Sequence, residues 1–365
     1  CAGMEWQKWV FLGFLAAVAV KWIPLYINYL GIGEDVYNHV PGPCRHVPGI
    51  EDGSEDIQTL PNGLAFISTG LGRAFFPDAK PSPGKIYTFN MNSPKDKPVL
   101  LSVEGEDLEK DLFSPHGIGV LQTVNGTFLF VVNHHPEQDR IEKFKYDHRR
   151  HALVHMDTYI DNRITSANDV VAISENSFYF TNFLYTTNKW LQKAERYLAV
   201  TWGSVFYWED DHRPQLVVRH LKQPNGITIS KDNRFIYVAH EGGQEILIYE
   251  RQPDNGLLLK NSVQINTPPD NIYVNPEDGD LWVAGHPVYY KVIEYYRDPS
   301  FKSPSQVLHL HTKGGKVTEI TEVYANDGSF LQGSSVANYY KGKLLVGTLF
   351  HKMMYCELSQ GENVI

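Results

Sequence analysis

The stretch QPNGITISKDNRFIYVAH, residues 223–240, contains the repeating unit from which we predict the fold. Two short apolar segments lie on either side of Lys231-Asp232-Asn233, a run of residues that favours the tight turn of a β-hairpin. A polar residue, Asn225, precedes the first apolar segment. Five other segments have the same order of polar start, apolar run, turn and second apolar run: residues 60–68, 114–134, 166–183, 268–286 and 331–351.

The polar residue that starts each unit recurs at intervals of about 46 to 63 residues, which is the spacing of four-stranded propeller blades. These starting residues are Asn62, His116, Asn168, Asn225, Asn271 and Ser334. Outside the N-terminal segment, helical periodicity is limited to residues 191–198, LQKAERYL, and this argues against an α/β fold. We therefore predict an all-β fold, a six-bladed β-propeller with an N-terminal hydrophobic helix and short lid helices.

The overall charge argues against a nucleic-acid partner. The 365 residues include 33 Lys and Arg against 42 Asp and Glu, a formal net charge of −9. A chain of this balance has no general positive field with which to hold a phosphate backbone.

The first residues of the innermost strands should face one another across the central channel of a propeller. In this chain those positions carry oxygen donors and one histidine, and they are Glu55, Asp56, His116, Asn168, Asp169, Asn225, Asp270 and Asn271. Asn and Asp also start strands and fill turns for purely structural reasons. Their recurrence in one register, and the repulsion expected between clustered carboxylates, favour a bound cation. Six or more converging oxygens select calcium.

The N-terminal segment differs in character from the rest of the chain. Residues 9–20 form an uncharged, mostly apolar run, and a second uncharged run covers residues 22–33 after Lys21. The first run has the length of a signal-peptide hydrophobic region, and both together suit a retained signal anchor. We assign residues 1–35 to a signal anchor and linker and residues 36–365 to the propeller domain. This predicts the secretory pathway, with the propeller lumenal or extracellular on a membrane, or secreted.

An oxidising compartment makes Cys44 and Cys356 natural disulfide partners, and two free buried thiols are the alternative. Asn125-Gly126-Thr127 matches the N-glycosylation sequon and agrees with the same compartment, so Asn125 is a candidate glycosylation site.

Nucleophile motifs such as Gly-x-Ser-x-Gly are missing from the sequence. Hydrolysis, if present, should therefore use water activated by a metal ion or a histidine. His116 is the favoured histidine because it occupies the starting position of a unit. Others, such as His286 and His351, are interpreted as surface or hydrogen-bonded core residues.

Several long segments resemble the serum paraoxonase and arylesterase family over about residues 44–358. They are GIEDGSEDIQTLPNGLAFIS, SPHGIG, FVVNHHPE, ANDVVA, PNGITIS, DNIYVNPEDGDLWVAGHP, LQGSSVA and GKLLVGTLFHKMMYCEL. The resemblance implies a six-bladed propeller with two calcium ions in the channel that hydrolyses lactones and aryl esters.

Carried over by position, the resemblance assigns the ligands of each ion. The catalytic calcium is assigned to Glu55, Asn168, Asn225, Asp270 and Asn271, and the structural calcium to Asp56, Asp169 and the carbonyl of Ile118. His116 and His134 match the catalytic histidine pair of the family, and Cys44 and Cys356 match its disulfide. We expect His116, oriented by His134, to activate water, with Glu55 as the alternative base.

The pocket departs from the pattern of the family. Phe183-Leu184 replaces an Asp-His pair, Gln223 replaces an aromatic residue, Arg73 replaces a Tyr in the lid loop, and Gly285 replaces a Cys. Apolar residues at the mouth, which include Phe75, Phe183, Leu184 and Leu349, are expected to receive an acyl chain. The principal alternative function is that of a membrane-anchored, calcium-binding propeller that chaperones or binds membrane proteins. A propeller synthase that forms carbon–carbon bonds is a more distant alternative.

Overall fold

The computed structural model describes residues 2–75, 83–198, 200–210 and 212–359. Its strands are β1 (Cys44–His46), β2 (Ile57–Thr59), β3 (Leu64–Thr69), β4 (Lys85–Asn90), β5 (Val99–Leu100), β6 (Ser102–Glu104), β7 (Pro115–Thr123), β8 (Gly126–Asn133), β9 (Arg140–Asp147), β10 (Ala152–Tyr159), β11 (Ala167–Ser174), β12 (Ser177–Asn182), β13 (Gly203–Glu209), β14 (Gln215–Leu221), β15 (Pro224–Ile229), β16 (Phe235–His240), β17 (Glu245–Arg251), β18 (Leu257–Gln264), β19 (Pro269–Val274), β20 (Leu281–Gly285), β21 (Ser305–Lys313), β22 (Lys316–Asn326), β23 (Ser334–Tyr340), β24 (Lys343–Thr348) and β25 (Met354–Glu357). The helices are α1 (Ala2–Leu30), α2 (Gly72–Phe75), α3 (Lys189–Leu198) and α4 (Tyr289–Tyr295), with 3-10 turns at Lys110–Leu112 and Glu241–Gly243.

These strands form six antiparallel sheets, and the predicted six-bladed propeller is confirmed. Five blades are consecutive: β2–β5, β7–β10, β11–β14, β15–β18 and β19–β22, with β6 added in parallel to the edge of the second. The innermost strands contact one another in a closed ring, in the order β2, β7, β11, β15, β19 and β23.

The blades pack face to face because their strands are apolar on both sides. An apolar cluster lies between each pair of neighbouring blades. Between the second and third blades, for example, the rings of Phe130 and Phe178 lie 5.3 Å apart. The hairpin turns follow the predicted chemistry: Asn233 and Gly279 adopt positive φ angles of 59° and 88°, which Asn and Gly tolerate best.

The sixth blade is closed by the N-terminal part of the propeller. Strand β1 pairs with β25 in antiparallel register, and Cys44 lies directly opposite Cys356. The two residues form a disulfide, as predicted, although they are 312 residues apart. The disulfide joins β1 covalently to β25 and so closes the ring of blades. A disulfide is consistent with an extracellular or secreted protein.

A bulge at the start of the inner strands positions the site. The pairing register shifts there in five of the blades, at Pro115/Ile118, Ala167/Val170, Pro224/Ile227, Pro269/Ile272 and Ser334/Val336. Two residues lie within the shift in four of these blades, His116-Gly117, Asn168-Asp169, Asn225-Gly226 and Asp270-Asn271, and Ser335 alone lies within it in the last. Glu55-Asp56 has the equivalent position in the first blade. Bulges redirect side chains and are frequent beside active sites.

The choice of Asn62 as the start of the first unit was wrong. Asn62 lies in the turn between β2 and β3, where its Oδ1 accepts the Leu64 N–H at 3.0 Å. Pro61-Asn62-Gly63 is a hairpin signal that resembles a unit start in sequence. Glu55-Asp56, seven and six residues earlier, occupies the corresponding place before β2.

Helices α1, α3 and α4 meet over one end of the channel, and the predicted helix at residues 191–198 is confirmed as α3. Tyr29, near the end of α1, packs on Tyr289 of α4 with ring centroids 5.0 Å apart. Tyr26 donates a hydrogen bond to the Tyr197 carbonyl of α3 at 2.7 Å. Throughout the described ranges no helix has both the length and the apolar character needed to cross a bilayer. The signal anchor in residues 1–35 stays a prediction.

Candidate metal centre and histidine relay

The bulges bring four unpaired oxygen atoms into the buried channel. Glu55 Oε2 and the Oδ1 atoms of Asn168, Asn225 and Asn271 are inaccessible to solvent and have no hydrogen-bond partner among the described residues. A buried polar atom without a partner costs about 1–3 kcal/mol. Four such atoms in one channel therefore destabilise the folded chain unless a ligand binds them.

The orientation of these side chains is set by their other atoms. Asn271 donates from Nδ2 to Glu55 Oε1 at 2.9 Å, and Asn225 donates from Nδ2 to Glu241 Oε2 at 2.8 Å. Each amide nitrogen is thereby held by a carboxylate, and each amide oxygen is left free. Oxygens presented in this way suit a hard cation such as calcium.

The carboxylates of the channel are almost completely buried. Glu55, Asp56, Asp169 and Asp270 are at most 2% exposed. Burial raises the pKa of both Glu55 and Asp56 to about 8, and for Asp56 the neighbouring Glu55 adds to the effect. Burial also raises the pKa values of Asp169 and Asp270. A divalent cation would stabilise the ionised forms of this cluster.

Asp56 and Asp169 are two further buried carboxylates, and each is held by two backbone N–H groups. Asp56 accepts the N–H groups of Ile57 and, from the next blade, of Ile118, both at 2.7 Å. Asp169 accepts those of Val170 and, again from the next blade, of Ile227, also at 2.7 Å. The predicted role of the Ile118 carbonyl as a metal ligand stays a prediction.

Glycine at the second position of two bulges makes room for these side chains. A Cβ on Gly117 would lie 2.4 Å from Asp169 Oδ1, and one on Gly226 would lie 2.8 Å from Asn271 Oδ1. In the second and fourth blades, glycine thus leaves space for the polar side chains of the next blade.

A series of polar contacts runs from the channel to the second blade. His116 Nε2 lies 3.2 Å from Glu55 Oε1, and His116 Nδ1 lies 2.8 Å from His134 Nε2. His134 Nδ1 lies 2.8 Å from Asp139 Oδ1, and Asp139 Oδ2 accepts the Ala167 N–H. Glu55, His116, His134 and Asp139 thus form one connected series.

Asp139 sets the protonation of this relay. Its carboxylate accepts the Nδ1–H of His134, so His134 Nε2 accepts the Nδ1–H of His116. His116 keeps a lone pair on Nε2, which faces the channel. Burial, followed by the neighbouring His134, lowers the pKa of His116 to about 3. Burial alone would lower the pKa of His134 as well, but Asp139 raises it above its usual value.

Two acidic residues of the site, Asp139 and Glu241, were missed by sequence reasoning. Asp139 lies in the loop between β8 and β9, and its position five residues after His134 was the available signal. His286 Nε2 contacts Asp270 Oδ2 at 2.9 Å, which makes it the hydrogen-bonded core residue that was expected. Glu241 accepts hydrogen bonds from Asn225 and from the Tyr289 hydroxyl. The turn at Glu241–Gly243 has no counterpart in the repeat that would reveal it.

A cavity of about 660 Å³ lies beside the relay. His134, Asp139, Phe75, Leu184 and Arg196 are among the residues that line it, and Arg73 lines it as well. A second cavity, of about 580 Å³, shares Phe75, Leu184 and Arg196. Leu349, by contrast, is packed in the apolar cluster with residues of α4.

Arg196 gives the apolar mouth a positive charge. Its guanidinium lies 5.0 Å from the ring of Phe183, 5.5 Å from that of Tyr296 and 6.0 Å from that of Phe75. Across the described part of the chain, Arg196 forms no ion pair with a carboxylate. Gln223, where an aromatic residue was expected, donates to the Arg196 carbonyl and accepts the Tyr29 hydroxyl.

Asn125 lies exposed in the turn between β7 and β8, and its Nδ2 donates to Glu175 at 2.8 Å. The site is accessible to solvent, and its glycosylation stays a prediction.

Comparison with known proteins gives consistent matches. The Arylesterase family model matches residues 36–358. Serum paraoxonase/arylesterase 2 of Gallus gallus is 38% identical over 95% of this chain and 98% of its own. Serum paraoxonase/arylesterase 1 of Homo sapiens is 39% identical over 86% of this chain and 88% of its own. A gluconolactonase from Xanthomonas campestris shares the fold, with a TM-score of 0.53, 14% identity and coverage of 90% of this chain and 99% of its own.

Proposed function

The chain belongs to the arylesterase family, and from this we propose that it hydrolyses lactones and aryl esters with calcium as the cofactor. The observation that carries the proposal is the group of four unpaired, buried oxygens next to the His116–His134–Asp139 relay. The oxygens suit a calcium ion, and the relay suits the activation of water.

Two calcium ions are proposed in the channel. Glu55, Asn168, Asn225, Asp270 and Asn271 would hold the catalytic ion, and Asp56, Asp169 and the Ile118 carbonyl would hold the structural ion. The free oxygens support the first assignment, and the two buried carboxylates of Asp56 and Asp169 support the second. Bound calcium would supply the positive charge that polarises an ester carbonyl and stabilises negative charge on its oxygen.

His116 acts as the general base in this mechanism. As a water molecule adds to the ester carbonyl, Nε2 of His116 takes its proton, while Nδ1–H stays bonded to His134. Asp139 stabilises the positive charge that this creates on the pair of imidazoles. His116 then returns the proton to the leaving oxygen, so that the ester and water become an acid and an alcohol.

The pocket favours esters that carry an anionic group. Phe75 and Leu184 offer apolar contact to an acyl chain, whereas Phe183, which was predicted to do the same, is buried against Arg196 and does not line the cavity. Arg196 places five N–H donors beside Phe75 and Leu184 without a carboxylate partner in the described structure. Because a guanidinium pairs well with a carboxylate, we propose lactones or esters with a carboxylate on the acyl side as the preferred substrates.

Replacement of Arg196 by Met should change this preference. We expect kcat/KM for a carboxylate-bearing lactone to fall by about 10- to 100-fold, since a charged hydrogen bond contributes about 1.5–3 kcal/mol. The rate on a neutral lactone should change by less than about 3-fold. Arg213→Met is the matched control, because it removes the same side chain at an exposed position that lines neither cavity. Equal losses on both substrates would contradict the proposed role of Arg196.

The proposed activity is tested by assaying the purified protein with calcium on a panel of aliphatic lactones and aryl esters. We expect turnover on both classes, with lactones preferred. A folded, calcium-bound protein without turnover on the panel would overturn the proposal and favour the alternative, a calcium-binding propeller that binds or chaperones membrane proteins.

Association with a membrane through residues 1–35 is also proposed. Large apolar side chains of α1 face solvent, and Trp6 and Trp9 are each 70% exposed. Such a surface suits a lipid interface. Flotation of the protein with phosphatidylcholine vesicles measures the association, and Trp9→Ser should weaken it. A protein that stays at the bottom of the gradient would contradict the proposal.

A further inference from the structure

Two histidines and an aspartate meet on the surface of the fifth blade, away from the channel. Trp282 of β20 pairs with His309 of β21, and Leu281 pairs with Leu310. Asp280 precedes Leu281 and therefore lies opposite His311. Since side chains alternate along a strand, Asp280, His309 and His311 share one face of the hairpin.

The distances among these side chains suit a metal ion. His309 Nε2 lies 3.1 Å from Asp280 Oδ2, and His311 Nδ1 lies 2.9 Å from the same oxygen. One ligand atom from each residue lies within 4.8 Å of the other two. Ligands bonded to zinc at about 2.0–2.1 Å in tetrahedral geometry are about 3.3 Å apart, so an ion fits with small movements.

Two of the three side chains are held in place by other groups. Asp280 Oδ1 accepts the Thr312 N–H at 2.7 Å, which leaves Oδ2 for the histidines. The ring of His309 stacks on Trp282, with centroids 4.3 Å apart and planes 13° apart, and Trp282 stacks on Tyr339 in turn. His311 is the open side of the cluster, since its side chain is 43% exposed.

We propose that Asp280, His309 and His311 form a binding site for Zn²⁺ or a similar divalent transition-metal ion. Two imidazoles and one carboxylate suit zinc, whereas calcium prefers oxygen ligands alone. Three protein ligands leave a position for water. The site is separate from the channel, because Asp270 is at the start of β19, whereas Asp280 follows the turn after the other end of that strand. A bound ion would join β20 to β21.

Titration calorimetry with ZnCl₂ tests the proposal on the full chain in excess calcium, which keeps the channel occupied. We expect one zinc ion per chain, with affinity reduced at least about 10-fold in both His309→Gln and His311→Gln. His148→Gln, which removes an exposed histidine from a distant turn, should bind zinc as the unchanged protein does. Zinc should also raise the Tm by about 2 °C or more, and only when both histidines are present.

Lactone hydrolysis at one equivalent of zinc should stay unchanged, which separates this site from the catalytic one. The absence of zinc binding would overturn the proposal and leave the three residues as a hydrogen-bonded cluster. Zinc binding that is equally strong in both histidine variants, with their calcium-dependent Tm unchanged, would overturn it as well.

Discussion

Removal of calcium is expected to abolish lactone hydrolysis and to destabilise the propeller more at pH 8 than at pH 6.5. The loss of activity should reach about 100-fold or more, because a metal ion at a carbonyl supplies several kcal/mol of transition-state stabilisation. Tm should fall by roughly 5–10 °C at pH 8, as expected when an ion bound at high saturation is removed.

The pH dependence follows from the raised pKa values of Glu55 and Asp56. In the metal-free folded chain both titrate at about 8, whereas in the unfolded chain they titrate near 4. The folded chain then holds protons that the unfolded chain has released. The contribution of these groups to the free energy of unfolding is fully present below about pH 4. It is lost as the pH rises from 4 to 8, by about 1.4 kcal/mol per pH unit for each group.

Comparison of the chelated with the calcium-bound protein between pH 6.5 and 8 isolates this effect, because the histidines that titrate in this window are present in both. Carboxylates with lowered pKa values, such as Glu142 and Glu245, are ionised throughout the window. His116, whose pKa is lowered, is neutral there in the folded chain, and its titration in the unfolded chain near pH 6.5 is common to the chelated and calcium-bound proteins. The Tm of the chelated protein should therefore fall across the window, while that of the calcium-bound protein should change little.

Differential scanning calorimetry with calcium, with chelator and with magnesium provides the measurement. Magnesium should restore little stability, since it demands a smaller octahedral site. Asp56→Asn should bind calcium more weakly and reduce the pH slope, whereas Asp254→Asn, in an exposed turn, should change neither. A chelated protein with the same Tm at both pH values would contradict the assignment of the channel carboxylates.

His116→Gln is expected to lower kcat for lactone hydrolysis by about 100- to 1,000-fold, the usual contribution of a general base. Glutamine has no basic nitrogen to take the proton of water. The affinity for calcium should change by less than about 3-fold, because the assigned ligands remain. Steady-state kinetics and calcium titration provide the two readouts.

His135→Gln is the matched control for this substitution. His135 is also buried and adjoins His134, but its Nδ1 accepts a hydrogen bond from Arg140 instead of joining the relay. Its replacement should leave kcat within about 3-fold. Full activity of His116→Gln would remove His116 from the mechanism and favour Glu55 as the base, without affecting the calcium assignment.

Asp139→Asn should have a smaller effect of a different kind. Asp139 acts as a positioning residue, since it contacts His134 and not the reacting atoms. We expect kcat to fall about 10-fold. Loss of the carboxylate also removes the charge that raises the pKa of His134, so the acid limb of the kcat profile should move to lower pH. A purely structural role would lower kcat without moving that limb.

The fold was predictable because its signals are local. Turn residues such as Asn233 and Gly279 separate apolar strands at a regular spacing, and each unit can be recognised alone. The prediction at Asn62 was wrong for the same reason, because the local sequence of a hairpin turn resembled the start of a unit. Propeller geometry then implied which residues approach the axis.

The sequence alone determined the six blades, the partners of the disulfide and the oxygen-rich chemistry of the channel, because these depend on residue type and on spacing along the chain. Only the tertiary structure decided that Asp139 completes the relay, that Arg196 enters the mouth of the pocket and that His309 and His311 meet Asp280. The physical reason is that these contacts depend on loop paths, helix placement and strand register. Each of those is set by packing between segments that are distant in sequence.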